Sequence, residues 1–446
     1  MSAARSSRRL PAAVIAAYGL PMLAFGFRGG LMDFYFVKYS TDVLLVAPAT
    51  IGLIFAVSRL WDAVFDLPVG HLSDRTQTSY GRRRPWLFAS IIPSGLFFVA
   101  MWNPPAAIEG IGLIVWTAAA VILFHSAQTM FAVPHYALAS ELSNDPHERT
   151  RLFAARLGCD LGGIFISLAA LFALENSAAP RTTAMAVGWW SALAGTLIVA
   201  ACVLAQRERP AAHVHERERL RAVYAGVWRD ISARWLLAAT FIELLGVASL
   251  GTLLPYVSQY ILHTPGYTSY YLLCFFIPMV GSIAVWPRLS QRFGKRGTWV
   301  GATIVKGLGF GSCFFLGEGD WLQIAIIIAI VGVADGGGRT MGPSVYADVA
   351  AAASERSAQR REGAYFGLWN LAMKAAMAAS VALVGFALQA TEFQPNVEQT
   401  AQTEMMLRIL VSVLPMLFCL GAAAIVALTT PKNPAVISVV ADAELA

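Results

Sequence analysis

Long apolar runs alternate with short polar connections along the whole chain. A membrane-spanning helix needs roughly 20 mostly apolar residues, and the runs that meet this length fall into two groups. They cover residues 11–38, 43–72, 85–103, 108–142, 151–175 and 184–206, and then 232–262, 267–291, 297–317, 321–350, 362–390 and 406–429. The pattern predicts an all-α polytopic membrane protein with twelve transmembrane helices.

A polar connection at 207–231 separates the two groups, and a repeated motif relates them. Leu72 to Arg75, followed by Gly81 to Arg83, recurs as Leu289 to Arg292 followed by Gly294 to Arg296. Two parallel six-helix repeats are the plan of the major facilitator fold. We therefore predict an N-terminal six-helix half at 1–206, a cytoplasmic central loop at 207–231, a C-terminal six-helix half at 232–430 and a cytoplasmic tail at 431–446.

Basic residues are concentrated in alternate connections. By the positive-inside rule these connections lie in the cytoplasm, and so do both termini. Arg181 is the exception in the opposite set of connections, and the short loops suit a bacterial plasma (inner) membrane. The clusters contain Arg5, Arg8 and Arg9; Arg75, Arg82, Arg83 and Arg84; Arg149 and Arg151; Arg207 to Arg229; Arg288 to Arg296; and Arg356, Arg360 and Arg361.

The composition excludes a soluble enzyme. The chain is 57% hydrophobic and 13% charged, with a mean hydropathy of +0.59, whereas soluble domains average about 45–50% apolar and about 25% charged. The net charge of +6 resides in the loop clusters, so we expect no nucleic-acid partner. Gly336 to Gly338 lacks the GKS/T ending of a P-loop, and nothing in the sequence indicates ATP hydrolysis or covalent catalysis.

Two carboxylates stand out in the second apolar run. Asp62 and Asp66 are four residues apart, which places both on one face of a helix. Asp62 lies about ten residues, or roughly 15 Å, from the cytoplasmic end of that helix. Two neighbouring carboxylates in mid-membrane cannot easily both be ionised, and a proton or a small hard cation would relieve them. The alternative is that each aspartate pairs with an arginine such as Arg59, for folding alone.

The segment Arg59 to Trp86 resembles the glycoside-pentoside-hexuronide:cation symporter family. Shorter matches in the expected order are Thr41 to Val43, Pro134, Tyr346 to Asp348, Lys374 and Pro395 to Gln399. The resemblance implies a symporter in which Asp62, Asp66 and Thr129 bind the coupling cation, with Na⁺ held by the two aspartates if the protein is sodium-coupled. It also implies substrate contacts for Arg156, Lys374 and Tyr136.

The candidate substrate site departs from that of the galactoside-transporting members of this family. Gly26 and Ala132 stand where those members have aspartates, and Arg339 stands where they have a sugar-stacking tryptophan. A pocket that loses two acids and gains a base favours an anionic solute such as a hexuronide, because arginine suits carboxylates. Asp335 lies one turn from Arg339 and could instead pair with it. The other candidate substrate residues are Asp33, Asp160 and Trp369.

Four further polar residues in apolar runs are open to more than one interpretation. His125 and His135 could relay protons or make structural hydrogen bonds. Glu243 could line the cavity or pair with a neighbouring base. We expect Lys306 to extend along its helix to the inner surface.

The connection between the second and third runs carries a cluster of charges. We predict that charge pairs there close the cytoplasmic gate in the outward-facing state. The alternative is that the cluster only anchors the topology. The residues concerned are Asp74, Arg75, Arg82 and Arg83.

These features predict a secondary active transporter that couples H⁺ or Na⁺ to a glycoside or sugar acid by alternating access. The alternative on the same scaffold is a lipid or amphiphile translocator or a drug exporter, because animal lysolipid carriers resemble the family as well. We expect a monomer that contacts membrane lipid and one small solute. We expect no cofactor apart from the coupling ion.

Overall fold

The computed structural model describes residues 10–143, 145–205, 227–357 and 362–429. Within these ranges the regular structure is helical and no strand occurs, which confirms the predicted all-α class. The N-terminal cluster around Arg5, most of the predicted loop at 207–231 and the predicted tail at 431–446 lie outside the described residues.

The helical segments of the described chain group into twelve elements. The first six are α1 (Ala12–Asp42), α2 (Pro48–Arg75), α3 (Arg84–Trp102), α4 (Gly110–Leu142), α5 (Pro146–Glu175) and α6 (Pro180–Ala205). The others are α7 (Ile231–Tyr260), α8 (Thr268–Ser282), α9 (Trp286–Ser312), α10 (Trp321–Ser357), α11 (Glu362–Ala390) and α12 (Ala401–Thr429). Both α1 and α12 contain a π-helical turn, at Met32–Phe36 and Ile409–Val413.

Most of these helices are long and apolar enough to cross a membrane. By length and composition, nine of the described helices qualify, or ten if the bent pair α8–α9 counts as one span. Helix α2 is not among them, although its 28 residues reach about 42 Å at about 1.5 Å per residue. The chain is therefore a multi-pass membrane protein, while the number of twelve spans stays a prediction.

The predicted helix at 267–291 is wrong at its C-terminal end. Helix α8 ends at Ser282, and the chain bends by 82° into α9. Helix α9 is itself kinked at Gly294, whose φ of 74° lies in the left-handed region that a residue without a Cβ adopts easily. The hydrophobic pattern does not show this break, because the apolar residues 283–285 run through it.

The repeated motif makes repeated contacts in the structure. Arg84, at the start of α3, donates from Nε to the Val203 carbonyl of α6 at 3.1 Å. Arg296, in α9, donates from Nε to the Val426 carbonyl of α12 at 3.0 Å. The contacts therefore make Arg84 the structural counterpart of Arg296. The spacing of the motif in the sequence had instead aligned Arg296 with Arg83, one residue earlier.

The base preceding each of these arginines pairs with an acid near the end of the next long helix. Arg83 lies 3.1 Å from the Glu141 carboxylate of α4, and Lys295 lies 2.7 Å from the Asp348 carboxylate of α10. The two sets of six helices therefore repeat a base–acid contact as well as the arginine–carbonyl contact.

The chain divides into two compact units. The first comprises the described residues of Met1–His215, Leu254–Ser269 and Val381–Thr403, and the second those of Glu216–Leu253, Tyr270–Ser380 and Glu404–Ala446. The unit boundaries fall inside α7, α8, α11 and α12, so the units do not coincide with the predicted halves. The division into halves at 1–206 and 232–430 stays a prediction from the sequence repeat.

Within the first unit, the end of α1 contacts the end of α7 and the connection that follows α11. Lys38 is buried and pairs with Asp42, and its ammonium also donates to Gln259. The backbone N–H of Asn396 donates to Tyr260 Oη, and its side chain donates to the Asp42 carbonyl, both at 3.0 Å. Two of the segments that carry the family resemblance, 41–43 and 395–399, thus meet here.

Helices α1 and α5 approach each other through glycines. A Cβ added at Gly26 would lie 2.0 Å from the Asp160 carbonyl oxygen, and one added at Gly163 would lie 2.2 Å from the Leu23 carbonyl oxygen. Neither position can take a side chain unless the helices separate. Helix packing therefore requires glycine at position 26 of this chain, whatever the effect on the substrate of losing the aspartate found there in galactoside-transporting members.

We expect Gly26→Ala to lower the thermal unfolding midpoint of the purified protein by several degrees, because overpacking costs about 1–3 kcal/mol. Gly29→Ala is the matched control on the same helix, since its added Cβ meets no atom within 4 Å and alanine favours a helix by about 0.5–1 kcal/mol. Detergent-solubilised protein followed by intrinsic fluorescence gives both midpoints. Equal midpoints for the two variants would refute the close packing.

Candidate cation and substrate sites

The predicted cation-binding residues come together where α2 packs against α4. Thr129 of α4 donates its hydroxyl to Asp62 of α2, and the same oxygen lies 3.3 Å from Asp66 Oδ1. One turn away, Trp61 Nε1 donates to Ser126 Oγ at 2.8 Å. The two contacts fix the register of the helices, so both carboxylates face the threonine.

Two of these three residues are buried, Asp66 is half-buried, and the aspartates lie near the middle of α2. Asp62 is 7% exposed and Thr129 is 2% exposed, and Asp62 lies fourteen residues after Pro48 and thirteen before Arg75. A hydroxyl has one proton to donate and lone pairs to offer, so Thr129 can satisfy one carboxylate or present its oxygen to a cation. Two carboxylates and a hydroxyl oxygen are the donors that a small hard cation prefers.

Arg59, the alternative partner suggested for Asp62 and Asp66, binds a different acid. Arg59 of α2 pairs with Asp33, which lies in the π-helical turn of α1. Asp33 was a candidate substrate residue, and in this structure its carboxylate carries an ion pair. Single π-helical turns occur frequently at functional sites.

Arg156 and Tyr136, two further candidate substrate residues, contact each other directly. The guanidinium carbon of Arg156 in α5 lies 3.3 Å from the centroid of the Tyr136 ring in α4, and Phe153 lies beside the same ring. The Arg156 Nε is buried and makes no hydrogen bond with the described residues. The pair therefore offers a cation stacked on an aromatic face together with an unused donor.

The environment of His135 supports its structural interpretation. Its ring stacks on Tyr18 at 4.3 Å and on Phe131 at 4.8 Å between centroids. Its Nε2 lies 2.9 Å from the Tyr18 carbonyl, and because a carbonyl only accepts, Nε2 carries the proton. His125 packs edge-on against Phe124.

A second set of charges is buried in the second unit. The Lys306 ammonium of α9 lies 2.5 Å from Glu243 Oε1 of α7 and 3.0 Å from Asp335 Oδ1 of α10. Arg339 Nε lies 2.5 Å from the other oxygen of Asp335. The Lys306 side chain is 1% exposed, so the expectation that it reaches the surface is wrong: its charge is satisfied by two carboxylates inside the protein.

Glu243 pairs with a base, which was one of the two interpretations of this residue from the sequence. Its carboxylate also accepts hydrogen bonds from uncharged side chains. Trp299 Nε1 donates to Glu243 Oε2 at 3.1 Å, and Thr303 donates to Oε1 at 3.3 Å. The sequence analysis missed both donors. Trp299, Thr303 and Lys306 follow one another in α9 at intervals of four and three residues, which places them on one face of the helix. This spacing is the one sequence signal that points to the two donors.

The glycines at 336–338 make room for this set of charges. A Cβ at Gly338 would lie 2.8 Å from Glu243 Oε1, and one at Gly337 would lie 2.8 Å from the Ala302 side chain. These glycines therefore allow a close approach of the neighbouring helices. Trp369, a candidate substrate residue, packs in the core of the second unit beside Tyr346.

Lys374 and Asp160 complete the candidate substrate residues, and both are half-buried. Lys374 lies in α11, whereas Asp160 lies in α5, one turn after Arg156. The contacts described above group the candidates as Arg156 with Tyr136 and Arg339 with Asp335.

Three of the four predicted gating residues, Asp74, Arg82 and Arg83, form ion pairs, whereas Arg75 is exposed at the end of α2. Arg83 pairs with Asp74, donates to Ser73 Oγ at 2.7 Å and lies 3.1 Å from Glu141. Arg82 lies 2.5 Å from the same oxygen of Glu141. The sequence analysis missed Glu141, which joins the two arginines, and the gating role itself stays a prediction.

Ionisable side chains buried in the middle of apolar membrane helices typically mark ion or substrate pathways. The sequence profile of the MFS/sugar transport protein family matches residues 17–431. The chain therefore belongs to this family of membrane transporters, which confirms the resemblance found in the sequence.

Individual relatives differ in how much of the chain they cover. A glucuronide carrier protein homolog of Escherichia coli is 22% identical over 92% of this chain and 91% of its own length. An uncharacterized symporter of Synechocystis is 32% identical over 38% of this chain. A sodium-dependent lysophosphatidylcholine symporter of Danio rerio is 33% identical over 32% of this chain. The chain spans only 32% and 26% of the lengths of these last two relatives.

The fold also resembles that of a solved transporter. A crystal structure of a mutant of the nucleoside transporter NupG matches with a TM-score of 0.70 over 93% of this chain and 99% of that chain, at 10% identity. At this identity the likeness concerns the fold alone, and it confirms the predicted major facilitator architecture.

We expect Lys306→Ala to destabilise the protein by about 3–5 kcal/mol, because it leaves Glu243 and Asp335 buried beside each other without their shared base. Lys295→Ala is the matched control: its pair with Asp348 is 45% and 60% exposed, and such pairs contribute about 0–1 kcal/mol. Thermal unfolding of both variants measures the difference. A Lys306→Ala midpoint no lower than that of Lys295→Ala would contradict the buried pairing.

Proposed function

We propose that this protein is a cation-coupled symporter of a glycoside or sugar acid that works by alternating access. The observation that carries the proposal is the convergence of Asp62, Asp66 and Thr129 at the middle of α2. Ionisable groups at mid-membrane are costly and mark ion or substrate pathways. Two carboxylates around one hydroxyl fit a proton or Na⁺.

The coupling follows from the charge of this site. Without a cation, the two carboxylates repel each other and disfavour any state that excludes water from them. A bound cation removes that cost, so the transporter can close around its solute. The coupling is reciprocal, because a cation that raises the affinity for the solute has its own affinity raised by the same factor.

The solute class is supported by a second group of residues and by one relative. Arg156 stacked on Tyr136 offers a cation and an aromatic face, which suit the polar and apolar faces of a sugar ring or its substituents. The relative that matches over nine-tenths of this chain is named a glucuronide carrier protein homolog. We further propose a bacterial inner-membrane location, cytoplasmic termini and a monomeric state.

The second candidate function is translocation of a lipid or other amphiphile. The observation in its favour is the 33% identity to a sodium-dependent lysophosphatidylcholine symporter, which extends over 142 residues. That match covers less than a third of the chain, whereas the glucuronide carrier homolog matches almost all of it. We therefore place the glycoside or sugar acid first.

The test is the transport current of proteoliposomes on a solid-supported membrane, across neutral glycosides, hexuronides and lysophosphatidylcholine, with and without Na⁺ and a pH gradient. We expect a solute-evoked current from the wild type and none from Asp62→Asn, which loses a cation ligand and a negative charge. Asp348→Asn, at an exposed carboxylate, is the control. A current that survives in Asp62→Asn would contradict the cation site.

Thr129 distinguishes the two coupling ions in the same assay. Thr129→Val removes an oxygen ligand without changing the shape of the side chain, and Thr129→Ser keeps the hydroxyl. We expect Thr129→Val to raise the half-saturating Na⁺ concentration tenfold or more if Na⁺ is the coupling ion, and to leave the pH dependence nearly unchanged if it is H⁺. Equal behaviour of the valine and serine variants in Na⁺ would exclude Thr129 as a sodium ligand.

A further inference from the structure

Arg339 is a half-exposed arginine at the centre of a long, mostly apolar helix. It lies eighteen residues after Trp321 and eighteen before Ser357 in α10, so about 27 Å of helix separates it from either end. Its side chain is 53% exposed. A guanidinium that faced hydrocarbon at this depth would be costly, so its exposed side must meet water or a polar solute.

The hydrogen bonds of Arg339 leave part of its guanidinium unused. Nε lies 2.5 Å from Asp335 Oδ2, and within the described part of the chain the terminal Nη atoms make no hydrogen bond. These two nitrogens form the planar fork that matches the two oxygens of a carboxylate. The acid that binds Arg339 therefore holds it without occupying this fork.

Asp335 is fixed on its other side as well. Its side chain is 3% exposed, and its Oδ1 accepts from Lys306, which is itself held by Glu243. Asp335 cannot turn toward the rest of the guanidinium without leaving Lys306. The direction of the Arg339 fork is thus set by a buried chain of charges on three helices, α7, α9 and α10.

We propose that Arg339 binds the carboxylate of a sugar acid and that Asp335 is the residue that positions it. The inference rests on the proposed function and narrows its solute from a glycoside or sugar acid to an anionic one. Arg339 keeps its own ion pair with Asp335 through Nε, so the Nη fork can engage a solute without breaking the network that Lys306 holds. A neutral sugar could offer this fork only hydroxyl oxygens, whereas a carboxylate matches it with two charged oxygens.

The test compares two ligands that differ only at the acidic group, phenyl β-glucuronide and phenyl β-glucoside. Their affinities are measured by competition for uptake into proteoliposomes and, independently of transport, by thermal stabilisation of the purified protein. The wild type should prefer the glucuronide. Arg339→Gln should weaken glucuronide binding about ten- to hundredfold and change glucoside binding by less than about twofold.

Two further variants separate the fork from the charge and from folding. Arg339→Lys keeps the charge but not the planar fork. Its preference for the glucuronide over the glucoside should therefore lie between those of the wild type and Arg339→Gln. Arg234→Gln removes an exposed arginine of α7 in the same unit and should behave as the wild type. A preference that persists in Arg339→Gln would overturn the inference.

The outcomes also separate this inference from the proposed function. If the wild type transports both sugars equally well, or transports lysophosphatidylcholine instead, the claim that Arg339 binds a sugar carboxylate is wrong. The proposal of symport is unaffected by that result. Binding of the glucuronide that depends on Arg339 but is accompanied by no transport would support the inference and overturn symport. Folded wild-type protein that binds neither sugar would overturn both.

Discussion

Carboxylates placed side by side among apolar helices are stable only with a positive charge between them, and each unit of this protein contains such a pair of carboxylates. In the second unit, Glu243 and Asp335 hold the ammonium of Lys306 between them, and the Thr303 hydroxyl donates to Glu243. In the first unit, Asp62, Asp66 and the Thr129 hydroxyl form a comparable group of oxygens. The lysine is a permanent, covalently attached cation, and we propose that an exchangeable cation takes the same part in the first unit.

This difference explains how two related sets of six helices can serve different purposes. Both sets keep the same contacts at one end of their helices, where an arginine binds a carbonyl of the sixth helix and the preceding base binds an acid of the fourth. At mid-helix they diverge. A tethered cation makes the second network a fixed frame for Arg339, whereas a site for a free cation has a charge that depends on the ion gradient.

The sequence predicts the helices well because length and hydrophobicity decide which segments cross a membrane. The break after Ser282 escapes it, since apolar residues continue through the bend. The spacing of Asp62 and Asp66 predicts their shared face, and the family resemblance supplies Thr129 from α4. Lys306 was misjudged because its partners lie on α7 and α10, and spacing along one helix does not reveal which other helices pack against it.

Coupling through Asp62 can be measured by comparing gradient-driven accumulation with equilibrium exchange of the same solute in proteoliposomes. The account predicts that Asp62→Asn loses accumulation driven by a Na⁺ or proton gradient but retains exchange of labelled for unlabelled solute, because the solute site survives without the cation. Accumulation in Asp62→Asn equal to that of the wild type would contradict it, since the energy of the gradient would then enter through other residues.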